Sequence, residues 1–477
     1  MLAERTIRLG CPASPADDSN HERMEKVMRM SSATDQRTGA AGADAVDEHF
    51  LEPDVELLSR AEIEAEQERR VLDLVEYAWA NSGFYRDFWG ATGVTPADIT
   101  SIADFCEKIP LMTKDDIRAY RDRTGDSFGG LLCVPSGELT SVVTSSGTSG
   151  EPELMAEVWD EIPPIPAVCL RDMWQWGLRP GDRVIAAAGT FKNYWDTLYS
   201  AMGVVPVYVD SWIGNGERLL QTIHKYKVSY VQLVMPLVRE LESLESTYDM
   251  REMLSSLKFA AFAGQPMGDA LRRKVTEDWG VRIAMYTSAG DCGLAWEGTD
   301  LDGMYLWEDT ILPEVIDPVS LRAVDDNEIG ELVCTDFDNR VAPYIRFRSG
   351  DLVRRTRATS ALGRNHSRMW VIGRMGDQLV VAGKPVVVAE IWRMLEVFPE
   401  TSDALFQIVK HSTTMDRLRI RVGYAPEVTG DPIELETRIV ERLESSLGVG
   451  VDLYLMTTDE IFTYCSSVAK FPRVAKK

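Results

Sequence analysis

The sequence predicts an α/β protein, with a large N-terminal domain of mostly parallel sheets and helices over 49–375 and a small C-terminal α+β domain over 376–477. Three observations carry this. Apolar strand runs alternate with helical stripes from Arg183 to Tyr286. Polar or glycine-bearing loops follow those strands. The last hundred residues mix short strands with two amphipathic stripes. Strands alternating with helices require crossovers, and crossovers give parallel pairing.

Residues 1–48 are rich in Ser, Asp, Ala, Gly and Arg and read as a disordered tail without functional content. From Leu51, apolar residues fall at helical spacing: Leu57, Leu58, Ile63, Val71, Leu72, Leu74 and Val75. Phe84, Tyr85, Phe88 and Trp89 form an aromatic cluster, which reads as core. Thr113 is a candidate helix cap, with Asp115 and Asp116 in the first turn.

The stretch Thr144 to Gly150 carries five hydroxyls and two glycines and is closed by Pro152. Glycines let backbone N–H groups approach a phosphate, and hydroxyls add donors around it. By composition alone it would be a Ser/Gly linker; the segments that follow favour a phosphate loop. It lacks the Gly-Lys-Ser/Thr ending of a P-loop.

Strands are expected at Arg183–Ala188, Val204–Val209, Val228–Val234, Leu257–Ala263 and Val281–Tyr286. Helical stripes separate them, one carrying Leu219, Leu220, Ile223 and Tyr226, another Leu237, Val238, Leu241 and Leu244. Ligands of such sheets collect at the carboxyl ends of the strands. Three loops there are chemically loaded: Thr190–Asp196, Gly264–Pro266 and Tyr286–Gly293. Each taken singly reads equally as an ordinary turn. Further on come Glu328–Thr335, Tyr344–Asp351 and Val371–Gln378, where Gly376 between Arg374 and Asp377 suits either a hinge or a plain turn.

The chain has 51 basic and 75 acidic residues, a net charge of −24. That argues against nucleic acid and against an anionic membrane as partner. Seven scattered cysteines with no C-x-x-C pair read as reduced thiols of a cytoplasmic protein. No signal-peptide core or membrane-length apolar run is visible.

In this order, the segments resemble the adenylate-forming superfamily of acyl-CoA synthetases, luciferases and adenylation domains, and within it the phenylacetate-CoA ligase branch. The matching segments are Pro110–Asp115, Ser145–Pro152, Gly264–Pro266, Tyr286–Asp291, Gly330–Val333, Pro343–Asp351, Gly373–Asp377 and Pro472–Lys477. They span roughly residues 80 to 477. Each is weak singly; their collinearity is specific.

The resemblance implies that ATP activates a carboxylic acid as acyl-AMP, with loss of pyrophosphate, before transfer to coenzyme A. It assigns phosphate donors to Ser145, Ser146, Gly147, Thr148 and Gly150. Gly264, Gln265, Tyr286 and Thr287 would frame adenine. Asp351 would hold the ribose, and Arg374 would lie near ribose and phosphate. Asp291 would take Mg²⁺, a hard ion suited to oxygen ligands. Lys477, with Lys476 as neighbour, would reach the α-phosphate from a mobile C-terminal lid pivoting near Gly376–Asp377. Phe191, Lys192, Tyr194, Trp195, Ala289 and Gly290 would line the acyl site, whose aromatic walls suit a small aromatic acid. For Lys192 a plain surface position is the competing reading.

Several residues depart from the family pattern. Glu151 and Glu153 stand beside the phosphate loop, where acids are electrostatically unfavourable. Thr287 replaces a usual glycine, and one extra residue precedes Asp291. Trp296–Asp300 lacks the Cys and His of a zinc site found in some relatives, so no zinc is expected. These departures leave two alternatives: acyl transfer to an amine or carrier protein, and a weakened relative that only binds nucleotide. A homodimer is left open by the sequence.

Overall fold

The computed structural model describes residues 49–144, 154–157, 167–186, 192–209, 214–264, 267–377, 379–401, 404–410, 412, 414–465 and 473–476. The phosphate-loop residues Ser145, Ser146, Gly147, Thr148 and Gly150 lie outside them, as do Phe191, Gln265 and Lys477.

Five helices open the described chain: α1 (Pro53–Glu56), α2 (Arg60–Asn81), α3 (Gly83–Gly90), α4 (Ile102–Lys108) and α5 (Lys114–Thr124). Ser59 caps α2 reciprocally with Glu62, and Thr113 caps α5 with Asp116. Each cap satisfies backbone N–H groups that a helix start leaves open. The aromatic cluster is core, with Phe84, Tyr85 and Trp89 buried. Tyr85 also donates through Oη to the Pro343 carbonyl at 2.7 Å and accepts from Ile345 N at 3.1 Å. The cluster thereby holds the approach to residues 346–351.

Strands β1 (Ser141–Thr144) and β2 (Leu154–Glu157) pair as a hairpin across the glycine-hydroxyl stretch. The next part alternates: α6 (Ala167–Gln175), β3 (Arg183–Ile185), α7 (Lys192–Met202), β4 (Val205–Val207), α8 (Gly216–Tyr226) and β5 (Tyr230–Leu233). It continues through α9 (Met235–Ser243), α10 (Met250–Met253), β6 (Phe259–Phe262), α11 (Asp269–Arg273) and β7 (Ile283–Ser288). Strands β8 (Leu294–Glu297), β9 (Met304–Tyr305), β10 (Ile311–Ile316), β11 (Ile329–Asp336), β12 (Phe347–Thr356) and β13 (Arg368–Arg374) follow without intervening helices.

These strands form one sheet of eleven, in the order β10-β11-β12-β13-β9-β8-β7-β6-β5-β3-β4. It is mixed, not mostly parallel. From β4 to β7 every pairing is parallel; from β7 to β10 every pairing is antiparallel. The reason is connectivity, since only the first half has helical crossovers. Helices α6 and α7 cover one face of the parallel half, and α8 to α11 cover the other. Helices α2 to α5 pack on the antiparallel half.

A buried ionic cluster ties the segment around α1 to α6 and to the loops at 308 and 364. Arg171 donates to Glu52 at 2.7 Å and to both oxygens of Asp309 at 2.9 and 2.8 Å. Arg364 donates to Glu56 at 2.5 Å and to Gln175 at 2.6 Å. Asp172 accepts from Trp307 Nε1 at 3.2 Å and from Gln175 at 3.1 Å. Burial pushes the Asp172 carboxyl well above the usual carboxylate range, which favours its neutral form.

Residues 379–476 gather around a core of their own. It is built by β14 (Leu379–Val381), β15 (Lys384–Val386), α12 (Val388–Leu395), β16 (Phe406–Lys410) and β17 (Thr414–Met415). Strands β18 (Leu418–Tyr424), β19 (Val451–Thr457) and β20 (Val474–Lys476) complete it with helices α13 (Pro432–Leu447) and α14 (Thr458–Cys465). Contacts to the rest include Glu396 accepting from Asp269 N at 3.0 Å at the start of α11, and Arg239, which lies 3.5 Å from Asp459 and over the Phe462 ring at 5.4 Å.

Glu56 and Arg364 have no solvent exposure. Removing one partner leaves the other charge buried and unpaired, at a cost of about 3–5 kcal/mol. Glu56→Ala is therefore expected to lower the urea midpoint of the N-terminal part clearly; an unchanged midpoint would contradict the cluster's structural role.

Candidate active site

Strand β7 is the seam of the sheet, parallel to β6 on one side and antiparallel to β8 on the other. Its carboxyl end runs into the turn 289–293. Gly290 there has φ +62°, and a Cβ would sit 3.2 Å from both Cys334 Sγ and Ser349 Cβ. The missing side chain lets this turn lie directly against the Ser349–Asp351 segment of β12.

That segment is bent by irregular register on both sides, between Glu331 and Val333 and between Leu352 and Val353. Gly350 takes φ +74°. Glu331 holds the bend by accepting from Arg348 at 2.5 Å and from Gly350 N at 3.2 Å. Ser349 Oγ donates to the Leu332 carbonyl at 2.8 Å and accepts from Asp351 N at 3.0 Å. Asp351 faces Arg374 across the β12–β13 ladder. Arg374 Nε lies 2.9 Å from Asp351 Oδ1, and its other nitrogen donates to the Ser349 carbonyl at 3.2 Å. The two residues assigned to ribose and phosphate are thus direct partners on adjacent strands.

Asp291 sits on the exposed rim with φ +59°. Its N–H bonds Ser288 Oγ at 2.9 Å, and its carboxylate pairs with Lys114 Nζ at 2.8 Å. Lys114 opens α5. Its place follows from the preceding segment, which joins β12: Met112 N donates to the Arg346 carbonyl at 2.9 Å and Arg348 N to the Met112 carbonyl at 2.8 Å. Reading Thr113–Asp116 as a helix cap missed Lys114. The signal was a lysine directly after the cap in a segment flanked by Pro110. A half-exposed carboxylate with a neighbouring hydroxyl fits Mg²⁺, which takes one or two carboxylates together with substrate phosphates. Among the described residues no group of three or more His, Cys, Asp or Glu could form a closed metal site.

On the α6–α7 side of the seam lies an aromatic box. Tyr286 is buried and stacks on Trp296 at 4.5 Å, while Trp195 meets it edge-on at 6.1 Å. Tyr194 Oη lies 3.1 Å from Cys169 Sγ. Burial pushes the Tyr286 and Tyr194 phenols up and the Cys169 thiol to about 12, so all three are neutral near pH 7. The structure thus brings Tyr194, Trp195 and Tyr286 together, with Thr287, Ala289 and Gly290 continuing along the seam. Lys192 stands apart: it is exposed, pairs with Asp196 one turn on and lies over the Tyr208 ring at 4.6 Å. Gly264 follows β6 with φ +92°. Lys476 ends β20, its backbone level with Lys410 of β16.

This fold, a seamed sheet with loaded turns at its carboxyl ends and a separate small C-terminal core, is the fold of solved acyl-CoA ligase structures. Over most of its length the chain is similar to adenylate-forming CoA ligases. Its relatives over most of its length are named phenylacetate-coenzyme A ligase. The one from Thermus thermophilus is 26% identical over 433 residues, covering 85% of this chain and 95% of the relative. The structure of 2-hydroxyisobutyryl-CoA ligase in the postadenylation state superposes with a TM-score of 0.79 at 24% identity, over 92% of this chain and 95% of that one. The same ligase with 2-HIB-AMP and CoA in the thioesterification state gives 0.63 at 25% identity, over 93% and 94%. No family model matches the chain. Among the described residues, no helix is long and apolar enough to cross a membrane.

Gly290→Ala places a methyl group against Cys334 and Ser349 at a positive φ. It is expected to lower the thermal midpoint by an amount equivalent to about 1 kcal/mol or more. A midpoint equal to that of the parent protein would contradict the close approach of the two turns.

Proposed function

We propose that this chain activates a small aromatic carboxylic acid with ATP and passes the acyl group to coenzyme A. A carboxylate oxygen attacks the α-phosphorus, the bond to pyrophosphate breaks, and acyl-AMP forms. The CoA sulfur, deprotonated on attack, then bonds the acyl carbon and AMP leaves with its phosphate oxygen. The carboxylate is a poor electrophile; the adenylate makes its carbon a good one. The observation that carries this reading is the pairing of Asp351 with Arg374 on a segment that packs against the turn of Gly290 and Asp291, at the end of a seam strand whose Tyr286 stands in an aromatic box.

In this reading Asp351 accepts from both ribose hydroxyls, and Arg374, already oriented by that carboxylate, turns its free edge to phosphate. Ser145, Ser146, Gly147, Thr148 and Gly150 donate to the β- and γ-phosphates, which carry the charge of the leaving group. Asp291 would hold Mg²⁺, which when bound neutralises polyphosphate charge; Lys114 keeps the carboxylate aimed and compensated without it. Gly264, Gln265 and Thr287 border adenine, with Tyr286 forming the wall between adenine and acyl sites. Tyr194 and Trp195 wall the acyl group, with Phe191, Ala289 and Gly290 nearer the carboxylate. Lys192 has its own partner in Asp196 and contributes at most from the rim. The small C-terminal core turns about Gly376–Asp377, and Lys477 or Lys476 reaches the α-phosphate in one orientation. The aromatic acid class rests on the box and on the names of the phenylacetate-coenzyme A ligase relatives.

The test is ATP–pyrophosphate exchange with a panel of aryl and alkyl acids, followed by mass spectrometry of products formed with CoA. Exchange dependent on an aromatic acid, and an acyl-CoA product, are expected; exchange with no acid of the panel contradicts the proposal. Asp351→Asn is expected to raise the KM for ATP by roughly 10-fold, the loss of charged hydrogen bonds worth about 1.5–3 kcal/mol. Replacing Lys476 and Lys477 together by Ala is expected to cut exchange by about 100-fold or more. Full activity of that double variant would remove both lysines from the mechanism.

A further inference from the structure

The face of the parallel half-sheet beneath α6 and α7 has a pattern the assigned chemistry does not use. Its central side chains are small, Ala186, Ala261 and Ala284, while Tyr230 and Tyr286 stand at opposite ends. Tyr230 is level with Phe259, and Ala260 is level with Ile283. Tyr286 therefore lies four residue steps farther toward the carboxyl end, about 13 Å at roughly 3.3 Å per residue. Tyr230 lies at the amino-terminal end of this strip and Tyr286 at its carboxyl end.

Tyr230 has no solvent exposure, and among the described residues its Oη has no hydrogen-bond partner. The same holds for Nε1 of Trp296, the ring stacked under Tyr286. Both groups are donors. Beside them the Cys169 thiol and Tyr194 hydroxyl satisfy each other. A phenol O–H buried without a partner is costly, and Phe would fill the same space without that cost. Such local frustration on a strip lined by alanines marks a place where a ligand supplies the missing acceptor.

We propose that Tyr230 is a specificity-determining residue, donating from Oη to an oxygen acceptor at the end of the substrate remote from its carboxylate. The substrate class is then an aryl acid bearing a hydroxyl or carbonyl oxygen on the ring. This rests on the acid-activating reading above. The carboxylate lies at the Tyr286 end, near the nucleotide, and the ring spans the alanines. The polar substituent reaches the level of Tyr230. A plain phenyl ring leaves the hydroxyl unpaired and binds less well for that reason.

The experiment is ATP–pyrophosphate exchange by the full-length protein with phenylacetate, 3-hydroxyphenylacetate and 4-hydroxyphenylacetate, before and after Tyr230→Phe. The parent protein is expected to prefer a hydroxylated acid by about 10-fold or more in kcat/KM. Tyr230→Phe should remove that preference, leave phenylacetate within about 2-fold, and raise the thermal midpoint by deleting an unsatisfied hydroxyl. A parent preference for phenylacetate, equal losses on all three acids, or a lower midpoint would overturn the assignment and make the hydroxyl structural. Exchange with none of these acids, nor with any of the wider panel, would instead overturn the acid-activating reading itself.

Discussion

The structure depends on the mixed pairing of one strand. Strand β7 accepts a parallel neighbour through β6 and an antiparallel neighbour through β8, so two halves of different construction share one sheet. A strand end at such a junction has no helix crossing over it on the antiparallel side, and ligands collect where neighbouring connections diverge. The turn at 289–293 occupies that place. Its approach to Ser349–Asp351 is possible because residue 290 lacks a side chain. Among the described residues, Asp291 at the end of β7, Asp351 on β12 and Arg374 on β13 then lie along this approach, with Lys114 at the start of α5.

Electrostatics are divided between two depths. The deep cluster of Arg171, Arg364, Glu52, Glu56 and Asp309 is satisfied internally and has no solvent exposure at its two arginines. It fixes α1, α6 and the loops around them, and so fixes the roof of the aromatic box. The rim pairs, Asp351 with Arg374 and Asp291 with Lys114, keep part of each side chain in solvent. Pairs of that kind are individually weak and can exchange partners when a charged ligand arrives. In a protein with a net charge of −24, this rim holds an arginine and a lysine, each beside a carboxylate partner.

Much of this was legible in the residues. Alternating strands and helical stripes gave the parallel half, because each strand buried on both faces is a short continuous apolar run. The Thr113 cap and the aromatic core at 84–89 were readable for local reasons. The antiparallel half was not, since its strands are short, irregular at Glu331 and Leu352, and paired out of sequence, with β9 between β8 and β13. Asp351 and Arg374 were singled out by motif, but their direct pairing depends on register, which a sequence does not print. Lys114 was hidden behind its own helix cap, because its partner Asp291 is far away in the chain. Tyr230 looked like an ordinary strand residue; only burial without a hydrogen-bond partner distinguishes it.

The most direct measurement is a crystal structure of the protein with a non-hydrolysable acyl-sulfamoyl adenosine. The account expects the ribose hydroxyls on Asp351, the sulfamoyl group beside Arg374 and the acyl chain running past Tyr286 into the box of Trp195 and Tyr194. An analogue bound away from the carboxyl end of β7, or with its acyl chain outside that box, would contradict it.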